Sequence, residues 1–328
     1  MTDTAPPATA APAPRGRLQL LDVLRAAALA AMVVYHFSFD LSFFGFTDWQ
    51  VASATGWVVF ARSIAVSFLF IAGLSLVLAN RRAIRPAVVL RRFATIAVAA
   101  GLVSLGTYFA VPDEMVRFGI LHLIAFGSLA GLAFLRLPPP LTLLAGVLVL
   151  VAPVYARSDL FDPRWLLWTG LGYDRPAAMD YVPVFPWFGV MLIGIAAGRV
   201  LTDSGLTERL AAFSCTRWPV RAAAFAGRHT LIIYLVHQPL LFGALQLALW
   251  LGVTPPAQVA NYRTSCLESC HASGGEAARC TAYCDCTAEG FTRAGLWRGA
   301  GSSSTAEAAV DGIVRQCQGV AQRLVVPQ

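Results

Sequence analysis

The feature that most restricts the fold of this chain is a series of long apolar runs separated by short loops. Each run has roughly 16 to 24 residues, about the length of a helix that crosses a bilayer. Only 13% of the residues are charged, whereas a soluble domain usually has about a quarter. The sequence therefore predicts an all-α, polytopic transmembrane helical bundle with about seven spans, over residues 19–41, 57–79, 93–111, 119–135, 141–156, 184–201 and 230–251.

Arginine is distributed unevenly between the loops, and this predicts the orientation in the membrane. The net charge of +7 comes entirely from arginine, because the chain has no lysine. One side of the predicted bundle holds Arg15, Arg17 and the arginine clusters of 81–92 and 199–228. The positive-inside rule puts that side and the N-terminus in the cytoplasm, and the C-terminal tail outside. Because topology accounts for the charge, no nucleic-acid partner is expected. Apart from the tail, the other side holds only Arg117, Arg157, Arg164 and Arg175.

The cysteines give an independent indication of the same orientation. Six of the seven lie in the C-terminal tail, and Cys215 falls in a predicted cytoplasmic loop. An even set on the oxidising side and a single thiol on the reducing side is what disulfide chemistry favours. In the tail, Cys266 and Cys270 are four residues apart, and so are Cys280 and Cys284. Each of these two pairs is therefore expected on one face of a helix.

The nine residues between these two cysteine pairs, HASGGEAAR, contain the serine and glycines typical of a turn. Two helices folded back on each other would set Cys270 opposite Cys280 next to the turn, and Cys266 opposite Cys284 further from it. Two further cysteines remain for a third bridge. This twin pattern resembles disulfide-stapled helical hairpins, although a four-cysteine zinc site and a disordered tail with free thiols are alternatives. The predicted disulfides are Cys266–Cys284, Cys270–Cys280 and Cys286–Cys317.

Polar residues follow one face of the first predicted span. A charge at the bilayer centre costs about 2.5–3.5 kcal/mol, so this face is expected to point into the bundle or into a water-filled cavity. His36 lies roughly 21 Å beyond Asp22 at helical rise, in the outer half of the membrane. The face comprises, at spacings of three or four residues, Asp22, Arg25, Leu29, Met32, His36 and Asp40.

His36 and Asp40 are the candidate catalytic residues. A neutral histidine oriented by a carboxylate is a common general base for activating a hydroxyl or an amine. The spacing of four residues predicts that Asp40 reaches the ring of His36. The structural alternative is an interfacial pair at the end of a helix. For Asp22 and Arg25, the structural alternative is a simple ion pair.

Other predicted spans contribute further polar side chains. Arg62 and His122 are expected toward the outside, and His237 in the inner half of its span. The two histidines have a structural alternative as interhelical hydrogen-bond donors, and Arg62 as an arginine that extends to the interface. No two histidines have a ligand-type spacing, so no metal is expected.

Five blocks in this order resemble the bacterial branch of the heparan-α-glucosaminide N-acetyltransferase catalytic-domain family. The first block also resembles membrane acyltransferases that open with an Asp-x-x-Arg element and a downstream histidine. This chain departs from that pattern at Ala26, where glycine is frequent. The blocks are RLQLLDVLRAAALAAMVVYHFSFDL (17–41), SFLFIAGLSLVLA (67–79), RFGILHLIAFGSLA (117–130), DYVPVFPWFGVMLIGIAAGR (180–199) and GRHTLIIYLVHQPLL (227–241).

The resemblance implies acyl transfer across a membrane, with acetyl-CoA or another acyl-CoA as donor. The acceptor would be an envelope saccharide or a related molecule on the far side. His36 would be the base or a transient acyl carrier, and Asp40 would orient it. Arg25 and the basic loops would favour the anionic CoA donor. The expected substrate-binding residues are Asp22, Arg25, Arg62, His122, Asp180 and His237.

The combined prediction is an integral membrane acyltransferase of the bacterial inner membrane, with the lipid bilayer as a partner. A homo-oligomer is compatible with this prediction. A proton-coupled transporter would use the same buried histidines and carboxylates as a relay. A non-catalytic scaffold would work through its tail. The predicted segments are a disordered N-terminus (1–16), a transmembrane acyltransferase-like domain (17–251) and a periplasmic Cys-rich helical tail (252–328).

Overall fold

The computed structural model describes residues 18–174, 176–212, 215–297 and 304–323. The segment 1–16, predicted to be disordered, lies outside the described residues, and so do Arg17 and Arg175. The described chain is all-α, as predicted, with 77% helix and no strand. Its α-helices are α1 (Gln19–Phe43), α2 (Thr55–Asn80), α3 (Pro86–Ala110), α4 (Ile120–Ala130), α5 (Pro139–Tyr155), α6 (Val184–Asp203), α7 (Leu206–Ala212), α8 (Trp218–Arg228), α9 (Thr230–Trp250), α10 (Pro256–Ala272), α11 (Ala277–Arg293) and α12 (Ser304–Arg323).

Five described helices are long and apolar enough to cross a membrane: α1, α2, α3, α6 and α9. The chain is therefore a membrane protein. The remaining two predicted spans correspond to shorter apolar helices, Ile120–Phe134 and Pro139–Tyr155. They are short because prolines follow the first and begin the second, and proline cannot continue a helix but suits its first turn. A total of seven spans remains a prediction.

The chain folds into two compact units, each built from two segments. The first unit contains the chain up to Met32 together with Ala61–Leu235, and the second contains Val33–Phe60 together with the chain from Val236 onward. Helices α1, α2 and α9 therefore each contribute residues to both units. The predicted boundary between a transmembrane domain ending at 251 and a separate tail stays a prediction.

The core of the first unit lies where α2, α4 and α6 meet. Glycine allows the backbones of α2 and α6 to approach closely, since a Cβ on Gly73 would overlap the carbonyl oxygen of Met191. A Cβ on Gly194 would overlap the carbonyl oxygen of Phe70. The side chains around this crossing are almost fully excluded from solvent, among them Leu69, Leu76, Leu123, Leu192 and Ile195.

The second unit contains the helical hairpin expected from the cysteine spacing. Helices α10 and α11 are joined by a turn in which Gly274 has a φ of +79°, a conformation that glycine adopts without strain. The prediction of disulfide bonds is confirmed, and four of the bonded cysteines are those that a zinc site would have needed. The bonds are Cys266–Cys284, Cys270–Cys280 and Cys286–Cys317, the pairs expected from the sequence.

Candidate functional site

The first unit contains a buried ion pair at the start of α1. Arg25 Nη1 donates to Asp22 Oδ1 at 2.7 Å, and Asp22 is only 2% exposed. Arg25 Nη2 donates to Ser75 Oγ on α2 at 2.6 Å. The spacing of three residues predicted the pair, but Ser75 was missed. A hydroxyl in an otherwise apolar span was the signal that could have identified it.

A cavity of about 1110 Å³ opens beside this ion pair, and its walls are rich in arginine. Two acidic side chains also line it, Asp22 and Glu208. Asp22 pairs with Arg25, and Glu208 lies 3.5 Å from Arg81. Positive charge therefore remains in excess, and arginine is well suited to binding phosphate. The five arginines are Arg25, Arg81, Arg91, Arg92 and Arg228.

Most of these arginines belong to the basic loops, which the sequence assigns to topology and the family resemblance to the anionic CoA donor. The loop 81–92 supplies three of them, and Arg228 comes from the stretch 199–228. The structure thus brings the two arginine-rich segments to one cavity. The rest of the cavity wall is largely apolar and includes Phe68, Ile71, Ile96, Ile120, Leu121, Ile124 and Leu231. A ligand with phosphates and an apolar arm fits this combination.

Asp180 and His122 lie together at the N-terminus of α4. Asp180 Oδ2 accepts a hydrogen bond from the Ile120 amide at 2.8 Å, and His122 Nδ1 accepts from the Gly119 amide at 3.2 Å. The first amides of a helix have no partner within the helix, so these side chains act as its cap. Ser104 Oγ lies 3.3 Å from His122 Nε2. Both ring nitrogens of His122 are thus engaged.

Burial of its carboxyl group raises the pKa of Asp180 to about 6, against the opposing effect of the hydrogen bond from Ile120. Asp180 also interacts electrostatically with Tyr234 of α9. Tyr234 and Ile120 line the arginine-rich cavity, whereas Asp180 and His122 are not among its described lining residues. Asp180 therefore bonds a residue of the cavity wall, Ile120, whereas the hydrogen-bond partners of His122, Gly119 and Ser104, do not line the cavity.

The second unit brings His36 of α1 next to His237 of α9. Their ring centroids are 5.2 Å apart, with an angle of 59° between the ring planes. His237 is buried, with 8% of its surface exposed. Tyr35 also contacts the ring of His36, at 5.7 Å between centroids. The two histidines, which the sequence placed in separate halves of the membrane, are neighbours in the structure.

Asp40 is fully buried in the second unit, and its partner is a residue that the sequence did not single out. Gln238 Nε2 donates to Asp40 Oδ1 at 2.8 Å, while Asp40 Oδ2 has no hydrogen-bond partner among the described residues. No hydrogen bond joins His36 to Asp40 within the described chain. A glutamine directly after His237 in an apolar span was the signal that sequence reasoning overlooked.

Arg62 has a different environment from the other candidates. It is exposed, and it has no hydrogen bond or ion pair with any described residue. The expected role of Arg62 in substrate binding toward the outside stays a prediction. Among the described residues, no three histidine, cysteine, aspartate or glutamate side chains are grouped so that they could hold a metal ion.

Comparison with known families agrees with the five sequence blocks. Residues 17–239 match the family model described as heparan-alpha-glucosaminide N-acetyltransferase, catalytic. The match covers the first unit, together with His36, Asp40, His237 and Gln238 of the second. It ends before α10, so the disulfide-bonded helices lie outside the matched region. No curated protein and no solved structure matches the chain.

Proposed function

Because this chain belongs to the heparan-α-glucosaminide N-acetyltransferase catalytic-domain family, we propose that it is an integral membrane acyltransferase. It moves an acetyl or related acyl group from a cytoplasmic acyl-CoA to a saccharide-type acceptor on the other side of the membrane. We place it in the bacterial branch of the family and in the inner membrane.

The observation that carries the proposal is the arginine-rich cavity of the first unit. The cavity is lined by five arginines and two acidic residues, and each acidic residue is paired with one of the arginines, so the cavity keeps a net positive charge. Guanidinium groups bind phosphate through two parallel hydrogen bonds. CoA has phosphates at one end and a less polar arm that carries the acyl group, so it matches both kinds of cavity wall. Arg25 contributes its charge here, and Asp22 and Ser75 hold it in place.

His36, on α1 in the second unit, is the proposed catalytic residue. As a base, His36 takes a proton from the amine or hydroxyl of the acceptor while that group attacks the thioester carbonyl. The carbon–oxygen or carbon–nitrogen bond forms, the carbon–sulfur bond breaks, and the CoA thiolate leaves. As an acyl carrier, the His36 nitrogen instead attacks the thioester first and passes the acyl group on.

The neighbours of His36 have supporting roles in this proposal. His237 lies against the His36 ring and limits its orientation. Asp40 and Gln238 form a hydrogen-bonded pair one helical turn further along α1 and next to His237 on α9. We propose that this pair fixes how the two helices meet, which replaces the direct orienting contact expected from the spacing of His36 and Asp40.

One observation from the sequence and one from the structure support an acceptor on the outer side. Arginine clusters in alternate loops favour an N-terminus in the cytoplasm. Three disulfide bonds in α10–α12 suit an oxidising compartment. The acyl group therefore starts on the side of the basic loops and ends on the side of the disulfide-bonded helices.

Transfer to a defined acceptor tests the proposal. Membranes containing the protein are incubated with radiolabelled acetyl-CoA and glucosamine, and labelled products are separated and identified. His36→Ala should abolish labelling, whereas His271→Ala, which changes an exposed histidine of α10, should leave it unchanged. If His36→Ala labels the acceptor as fast as the unaltered protein, His36 is structural and the mechanism is wrong.

The same preparation separates the two other candidate functions. A proton-coupled transporter would take up solute in response to a proton gradient and would not consume acetyl-CoA. A scaffold would do neither. Uptake that depends on the gradient, without any acetyl transfer, would replace the acyltransferase proposal with the transporter.

A further inference from the structure

Helix α8 exposes an unusual face in the first unit. Trp218 is 79% exposed and Phe225 is 59% exposed, and they are separated by two helical turns. Arg221 and Arg228 are exposed on the same side of the helix, and Arg217 is exposed directly before it. The helix contains no acidic residue. Aromatic rings and unopposed positive charges thus share one surface.

An adjoining face of α8 is packed against the beginning of α1. Ala224 and Gly227 are buried, and a Cβ on Gly227 would overlap the backbone carbonyl of Asp22. Only glycine allows the two backbones to approach so closely. The small residues therefore fix α8 on the protein, and the aromatic and basic residues are left facing outward.

A groove of about 740 Å³ runs between α8 and the start of α1. Its walls include Trp218, Arg221, Phe225, Arg228 and Gln19. One carboxylate, Asp22, also lines the groove, and it already binds Arg25. The guanidinium of Arg228 lies 5.9 Å from the centroid of the Phe225 ring. The groove therefore combines positive charge with aromatic surface.

The position of α8 in the chain favours a location at a membrane face. It lies in the connection between α6 and α9, both of which are long and apolar enough to span the bilayer. In water, an exposed tryptophan and phenylalanine lose the free energy of apolar burial, about 25 cal/mol for each Å². At the boundary between headgroups and acyl chains, the same residues are stabilised and arginines meet anionic lipid.

We propose that α8 lies in the membrane interface and that its groove binds the headgroup phosphate of an anionic phospholipid. Arg221 and Arg228 donate hydrogen bonds to the phosphate. Trp218 and Phe225 pack against the glycerol backbone and the first carbons of the acyl chains. This inference does not rest on the proposed enzymatic function, because the groove would bind lipid whether or not the chain transfers acyl groups, although Asp22 and Arg228 also line the arginine-rich cavity.

Native mass spectrometry of the full chain in detergent tests the site. Phosphatidylglycerol and phosphatidylcholine with identical acyl chains are added in turn, and the retained lipid is counted. We expect phosphatidylglycerol to be retained preferentially. The double variant Arg221→Gln, Arg228→Gln should lower that preference about thirtyfold, since each basic residue near an anionic surface changes affinity about fivefold.

The matched control is the double variant Arg136→Gln, Arg209→Gln, which removes the same charge from exposed arginines outside the groove. It should keep the preference of the unaltered protein. A similar loss in the control would attribute binding to overall charge and overturn the site. Equal retention of both lipids by the unaltered protein would also overturn it, and that measurement does not depend on any variant folding.

Two competition measurements distinguish other ligands of the groove. Glycerol 3-phosphate carries the same phosphate chemistry without acyl chains and should not displace phosphatidylglycerol at millimolar concentration. CoA should not displace it either, although Arg228 lines both the groove and the larger cavity. Displacement by glycerol 3-phosphate would indicate a soluble phosphate ligand, and displacement by CoA would assign the groove to the donor site.

Discussion

Replacement of Asp180 by asparagine should stabilise the protein above pH 6. Burial raises the pKa of Asp180 to about 6, from an ordinary value of 3.8. The folded protein therefore holds this proton more tightly than the unfolded chain does. The stabilisation from the protonated form is complete below about pH 4 and is lost as the pH rises through about 6. Asparagine stays neutral at every pH, and its Oδ1 can still accept the hydrogen bond from the Ile120 amide.

The magnitude follows from the difference between the two pKa values. About two pKa units correspond to roughly 3 kcal/mol in the free energy of unfolding. Asp180 as a whole residue is partly exposed, so solvent screening lowers the effect, and we expect about 1–2 kcal/mol. In domains of roughly 150–250 residues, 1 kcal/mol corresponds to about 2–4 °C in Tm, and by that scale the expected change is about 2–8 °C.

Thermal unfolding in detergent between pH 4 and 8 measures this difference. The Tm of Asp180→Asn relative to the unaltered protein should increase between pH 4 and 7 and then stay constant. Asp113→Asn removes an exposed carboxylate and should leave the pH profile unchanged. At pH 4, where Asp180 is protonated in the folded protein, Asp180→Ala should destabilise by about 1–3 kcal/mol, because it leaves the Ile120 amide without its partner. The reasoning is refuted if Asp180→Asn lowers the Tm at pH 7.5.

Three further predictions concern packing, the tail and the buried glutamine. Gly73→Ala should destabilise the protein by about 1–3 kcal/mol, because the new methyl group overlaps the α6 backbone. Gly101→Ala is the control and should not lower the Tm, because a Cβ at Gly101 meets nothing within 4 Å. Peptide mapping of unreduced protein should recover the linked pairs 266–284, 270–280 and 286–317, and six alkylatable tail thiols would contradict this. Gln238→Leu should lower the free energy of unfolding by about 1–3 kcal/mol, since it leaves Asp40 buried without its hydrogen-bond donor. A Tm equal to that of the unaltered protein would show that this hydrogen bond contributes little to stability.

The long helices could be predicted from the sequence because apolar run length is a local property. The run predicted at 184–201 is the helix Val184–Asp203, and the run at 230–251 is Thr230–Trp250. The sequence predicts only a basic connection over 199–228, yet this stretch contains α7 and α8. These helices are short and amphipathic, so they give no signal in a search for apolar runs.

Partners between helices could not be predicted in the same way. The spacing of His36 and Asp40 places them on one face of α1, but it does not determine which donor reaches the carboxylate. In the structure that donor is Gln238, from a helix almost 200 positions away in the chain. The cavity has a similar origin, since two arginine clusters meet only after folding. The cysteine pairs were predictable because their spacing and the turn between them are local.

The central claim is that donor binding and chemistry depend on different residues, and one comparison tests it. Acetyl-CoA binding by calorimetry and acetyl transfer are measured on the same preparations of three variants. Arg91→Gln should weaken acetyl-CoA binding about tenfold, as expected for the loss of one hydrogen bond to a charged group, and Arg136→Gln should bind normally. His36→Ala should bind acetyl-CoA like the unaltered protein and transfer no acetyl group. Normal transfer by His36→Ala, or undiminished binding by Arg91→Gln, would contradict the account.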